Sequence, residues 1–240
     1  MKNISVQFLL LLAGWLACGM ALVGTPQVAA LATFGFVLLG WIVSLCLHEY
    51  AHAVTAAAFG DDTIAAKGYL SLNPLLYFRG AGSLILPVIA LVLGGIALPG
   101  GAVTIRTDLI GKPWQQSLVA LAGPLTTLVC AVLALLAGLA TQGPLSDAFY
   151  LLAFFELMAF VLNILPIPGL DGFMALRPWA PAGMDRIVPQ KIAGLIAVGA
   201  LLLVFFYGYA LIIPVLRFIS ETFGIDLTPV GRGFDRFHFW

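Results

Sequence analysis

The sequence predicts an all-α polytopic membrane protein: about five transmembrane helices, plus a re-entrant or interfacial segment with a short β-hairpin. Three observations predict it. Of 240 residues, 62% are hydrophobic and 9% are charged, against about 25% charged in a soluble domain. Mean hydropathy is +1.08. The apolar residues fall into runs long enough to cross a bilayer core, separated by short turns containing Gly and Pro. Net charge is zero, so no nucleic acid or other polyanion is implied as a partner. Cys18, Cys46 and Cys130 lie in apolar runs without C-x-x-C spacing, which suggests neither a disulfide framework nor a cysteine metal site.

The first run covers residues 6–24. Its basic start resembles a signal peptide, but the next apolar run begins almost at once, so it reads as a retained span. Gly24-Thr25-Pro26 forms the turn. The second span, about 28–59, ends at Gly60-Asp61-Asp62. Residues 83–98 are apolar but short and contain Pro87, Gly94 and Gly95, which suits a thin, re-entrant or interfacial segment. Residues 102–107 alternate with period two after Pro99-Gly100-Gly101, as a short strand does. Residues 114–140 form a clear span, and Ala122-Gly123-Pro124 inside it would kink it or admit a close neighbour. Residues 147–165 form another and run into Pro166, Pro168, Gly169 and Gly172, which cannot continue a regular helix. The last run covers residues 192–219. A single integral-membrane domain, 1–240 with its core at 28–180, accounts for all of these elements.

Chemistry concentrates at His48-Glu49-Tyr50-Ala51-His52 in the second span. Residues four apart share a helix face, so His48 and His52 can aim two imidazoles at one metal ion. Glu49 lies beside them, and a water on that metal is its natural partner. Two His and an adjacent carboxylate are the parts of a hydrolytic zinc site. Accidental placement is a poor reading here, because ionisable groups within a span are costly and two of only three histidines fall in this motif.

Such a site needs a third protein ligand. His238 lies among aromatic and basic residues and reads better as an interfacial anchor. Asp61, Asp62, Asp108, Asp147, Asp185, Glu221, Asp226 and Asp235 lie in loops or at span ends, where solvated surface charge explains each. Asp171 differs, because it sits in a broken segment at the end of a span, and broken backbone at that depth lines polar cavities. It is the preferred third ligand. Glu156, in mid-span on the face of Asn163, either lines a water path or is neutral and hydrogen-bonded between helices; the second reading is preferred.

H-E-x-x-H in one span, N-x-x-P-x-P-x-L-D-G at residues 163–172 and the intervening A-G-P together resemble the site-2 protease family of intramembrane zinc metalloproteases. The resemblance covers about residues 28–180. It implies one zinc per chain bound by His48, His52 and Asp171, with Glu49 activating water. It also implies a substrate-binding or site-orienting part for Asn163, Gly123 and Pro124. Thr127 stands where that family often has asparagine, which weakens the case for a polar role there. The chain has no room for the PDZ or CBS domains of some members.

The implied substrate is a membrane protein with a transmembrane segment. An extended substrate would add to the edge near residues 101–107. Two rivals remain: a catalytically inactive protein that binds membrane helices, and a metal or proton transporter. All four chemical residues are present, which argues against the first. Clustering of the ionisable groups toward one end argues against the second. A shared metal requires both motifs at one depth, so residues 83–98 should not cross. Lys2, Lys67, Arg79, Arg106, Lys112, Arg177, Arg186 and Lys191 then share one side, and the loops around Thr25 and Gln142 carry no Lys or Arg. That bias predicts a plasma-membrane protein with its active site toward the cytoplasm.

Overall fold

The computed structural model describes residues 4–78, 81–94, 103–180 and 190–238. Among these, helices dominate and no strand occurs. Helix α1 (Val6–Gly24) starts on Ser5, whose Oγ accepts the Phe8 amide 3.2 Å away. Helix α2 (Ala29–Ala58) follows after a single turn. Short helices α3 (Thr63–Ala66) and α4 (Pro74–Tyr77) come next, then α5 (Ala81–Gly94), with Pro87 inside it. Helix α6 (Pro113–Ala140) and helix α7 (Gly143–Asn163) form an antiparallel pair, each with Pro in its first turn, where no amide partner is lost. Helix α8 (Asp171–Leu176) begins on the second motif. The chain ends in α9 (Gln190–Phe223) and α10 (Thr228–Phe237).

Among the described residues, four helices, α1, α2, α6 and α7, are long and apolar enough to cross a membrane. Their surfaces divide the work. Leu10, Leu16 and Met20 on α1, and Val129, Leu133 and Leu136 on α6, are exposed, as a lipid-facing surface requires. The inner face of α6 carries Gly123, Thr127, Ala131, Ala134 and Gly138, a small-residue row that lets α2 and α7 approach closely. Helix α7 is buried on nearly all sides, and Phe36, Trp41, Leu151, Phe155 and Met158 form the core between α2 and α7.

Several expectations need correction. Residues 103–106 carry no regular secondary structure, Thr107 opens a short 3-10 turn, and the part of the expected hairpin before residue 103 lies outside the described residues. Asp147 is not a solvated surface charge. It is buried at the start of α7, where Arg232 Nη2 donates to Oδ1 at 2.9 Å and Arg236 donates to Oδ2. The tail is a docked helix, with Phe237 fully buried against Phe34 and Phe155. His238, the proposed interfacial anchor, stacks on Phe234 with ring centroids 4.9 Å apart. Asp61 is buried as well, for reasons that belong to the site.

Candidate metal centre

The last turns of α2 place His48, Glu49 and His52 in the interior, all three buried. The Nε2 atoms of the histidines lie 3.0 Å apart. Each ring is held from behind. His52 Nδ1 lies 2.7 Å from the Val119 carbonyl oxygen. A carbonyl only accepts, so Nδ1 carries the proton and Nε2 of the neutral ring presents a lone pair. His48 Nδ1 lies 2.9 Å from Thr127 Oγ1 on α6, a polar contact for which the sequence made only a weak case. The sequence signal was available: Thr127 falls four residues after Gly123, on the same helix face.

The broken segment after α7 supplies the third group. Asp171 Oδ2 is 3.2 Å from His48 Nε2, and Oδ1 is 3.5 Å from His52 Nε2. Gly172 makes this placement possible: a Cβ there would stand 2.7 Å from the Leu165 carbonyl oxygen and closer still to that of Ile164. Helix α8 is then pinned to α6, since Ser117 Oγ donates to the Ala175 carbonyl at 2.6 Å and accepts from Trp179 Nε1 at 2.8 Å.

His48, His52 and Asp171 form a group able to hold a metal ion. Their chemistry fits zinc. Two imidazole Nε2 atoms and a carboxylate converge, with the lone pair of His52 Nε2 facing the group, an arrangement that a cation stabilises. Two ligands on a tetrahedral zinc at 2.0–2.1 Å keep about 3.3 Å between them, close to the observed separation. Gly123 faces the pair, and a Cβ there would come within 2.5 Å of His48 Nε2 and nearer to His52 Nε2. Pro124, the next residue, is buried, and α6 continues through it as one helix, so the glycine makes the close approach. Asn163 is buried at the last position of α7, directly before the broken segment. Glu156 lies deeper in α7, where Ser44 Oγ donates to its Oε2 at 2.6 Å, a hydrogen bond between α2 and α7.

Glu49 Oε2 accepts the Val103 amide at 2.9 Å. Asp61 sits beyond the end of α2 and is fully buried. Its Oδ1 accepts from the Thr63 amide and hydroxyl at 3.1 and 2.6 Å, and its Oδ2 from the Arg106 amide at 2.7 Å. Burial alone would raise this carboxyl, but the Arg106 and Thr63 bonds outweigh it and hold the group below the usual carboxylate range. Loop carboxylates bound to backbone amides leave no spacing pattern in a sequence, which is why Asp61 read as surface charge.

Residues 36–146 match the model of peptidase family M50. Among curated proteins, Rip2 of Mycolicibacterium smegmatis, named as a zinc metalloprotease, is 46% identical over 175 residues, covering 71% of this chain and 67% of its own. Rip2 of Mycobacterium tuberculosis is 45% identical over 163 residues, 66% of this chain and 62% of its own. YwhC of Bacillus subtilis, similarly named, is 30% identical over 175 residues, 67% of this chain and 76% of its own. No solved structure matches the chain.

Proposed function

The chain belongs to peptidase family M50, the site-2 protease family of zinc metalloproteases, and we propose that it hydrolyses peptide bonds within or beside the transmembrane segments of other membrane proteins. One observation carries this reading: His48 and His52 on α2 and Asp171 at the end of the broken segment after α7 converge, with Glu49 beside them, inside a helical bundle. His48, His52 and Asp171 hold the metal. Zinc, when bound, supplies a Lewis acid for the scissile carbonyl and lowers the pKa of a water to near 7. Glu49 accepts the attacking water's proton and delivers it to the leaving amine as the C–N bond breaks. His52 and His48 keep their Nε2 atoms aimed inward through Val119 and Thr127. Asn163 orients the site or the substrate backbone, and Gly123 with Pro124 keeps the approach to the metal free of side chains.

The protein acts as one integral-membrane domain with five spans, α9 being the fifth. Supporting this, α10 docks at the N-terminal end of α7 while α8 lies beyond its C-terminal end, so α9 must carry the chain between those levels. Its 34 residues rise about 51 Å, more than enough for a core of roughly 30 Å. Helix α5, at 14 residues, rises only about 21 Å and enters without crossing. With that topology the metal site faces the cytoplasm of a plasma-membrane protein. An extended substrate segment pairs along residues 103–107.

Comparative membrane proteomics of cells carrying wild type or Glu49→Gln tests the reading. A membrane protein cut near a transmembrane segment only in wild type is the expected result. Identical fragment patterns in both strains reject it.

A further inference from the structure

One hydrogen bond ties the catalytic glutamate to a segment 54 residues further along the chain, and three more fasten that segment to its surroundings. The Val103 amide donates to Glu49 Oε2 at 2.9 Å. One residue on, the Thr104 carbonyl accepts from Lys67 Nζ at 2.8 Å. Two residues further, the Arg106 amide donates to Asp61 Oδ2 at 2.7 Å. Past that, Gln116 Nε2 donates to the Ile110 carbonyl at 2.8 Å. Ile110 is buried in the cluster that includes Ala53, Ile64 and Val119, and Val103 and Ile105 pack against it. The segment is therefore fastened to the end of α2, to the turn after it and to the start of α6.

Glu49 has several side-chain torsions, and nothing in the H-E-x-x-H spacing fixes where its carboxylate points. The Val103 amide does. It occupies Oε2 and leaves Oε1 as the oxygen for the water's proton. Asp61 makes this amide reliable. It is a fully buried carboxylate at the far end of the same segment, and among the described residues its hydrogen-bond partners are Thr63 and the Arg106 amide. Burying a carboxylate is costly unless its hydrogen bonds are met, and here all of them go to backbone or Thr63.

We propose that Asp61 and the Val103 amide are positioning residues for the general base: Asp61 anchors segment 103–106 at Arg106, and the anchored segment presents the Val103 N–H that aims Glu49. The proposal rests on the protease reading for its kinetic consequence, though not for its structural one.

The structural arm uses zinc-loaded full-length protein in nanodiscs, followed by amide hydrogen exchange. The Val103 and Arg106 amides should be protected in wild type. Asp61→Ala should release both, and Glu49→Ala should release Val103 while leaving Arg106 protected. Rapid exchange at Val103 in wild type, or unchanged protection in Asp61→Ala, overturns the proposal. The kinetic arm uses the substrate found with Glu49→Gln. Proline at 103 lacks the N–H while alanine keeps it. Val103→Pro should fall about 10²-fold below Val103→Ala in kcat, as expected for a misplaced reacting group. Asp61→Ala should lose kcat to a similar degree, with KM within about twofold and zinc still near one per chain, a split that general unfolding would not give. Equal kcat in the two Val103 variants overturns the proposal. If wild type itself cuts nothing, the protease reading fails and the exchange arm alone decides.

Discussion

His52 donates Nδ1–H to the Val119 carbonyl, and that single bond determines which nitrogen faces the metal. Thr127 Oγ1, 2.9 Å from Nδ1 of His48, holds the second ring in its orientation. Removing such an outer partner typically costs 10–100-fold in metal affinity. Thr127→Val, nearly isosteric, should therefore release zinc about 10-fold more readily to a chelator, as competition with a chromogenic chelator would reveal. Gly123→Ala should be worse, because its methyl group would stand where the two Nε2 atoms meet. Elemental analysis should find little zinc in that variant, in His48→Ala or in Asp171→Ala, and about one per chain in Glu49→Gln; full zinc in Gly123→Ala would contradict the geometry. Asp61 predicts a pH effect. Its folded carboxyl is held below the ordinary value of about 4, so its contribution to stability is complete above that value and is lost as pH falls through the folded one. The stability difference between wild type and Asp61→Asn should shrink as pH drops from about 6 to about 3, which thermal unfolding in detergent can follow.

Helix α10 shows how one element is held by a few contacts. Gly233 lies so close to α7 that a Cβ would stand 2.6 Å from the Asp147 carbonyl oxygen. Arg232 and Arg236 flank the Asp147 side chain, and Phe234 and Phe237 pack on Phe155. Both arginines remain partly exposed, so the ion pairs contribute less than fully buried ones would. Losing charge-assisted hydrogen bonds at a buried carboxylate still matters, at about 1–3 kcal/mol. Asp147→Ala should loosen α10 and let trypsin cut after Arg232 and Arg236 faster than in wild type. Zinc content should not change, since Asp147 and Asn163 stand at opposite ends of α7. Equal cleavage rates would mean that the aromatic contacts alone hold the helix.

At the scale of the whole molecule, the metal site constrains the path through the membrane. His48 lies toward the C-terminal end of α2 and meets Asp171, which follows the C-terminal end of α7, so on the proposed topology α2 and α7 run in the same direction. Only an even number of crossings fits between those ends. On the topology proposed above, α6 and α7 make two and α5 stays on the metal side. Single cysteines at Lys67 and Thr107, in a background lacking Cys18, Cys46 and Cys130, should react with an impermeant reagent only from the cytoplasmic face. A cysteine at Gln142 should react only from the opposite face. Labelling at Thr107 from outside would require either a crossing by α5 or separate depths for the two motifs.

The spans were legible in the sequence because burial in lipid demands long apolar runs and charges are excluded from them. Helices α1, α2, α6 and α7 fall within a few residues of the expected bounds for that reason. The convergence of His48, His52 and Asp171 was legible too, since H-E-x-x-H carries its geometry in its own helical spacing and the L-D-G carboxylate sits in a segment that proline and glycine visibly break. Tertiary structure alone decided what surrounds them. The Val119 carbonyl behind His52, the Val103 amide on Glu49, the Arg106 amide on Asp61 and the arginines on Asp147 are all partners distant in sequence. Backbone donors and acceptors are the same at every residue, so no residue type marks which of them will be used. Only the packing of α2, α6, α7 and α10 brings each one to its side chain.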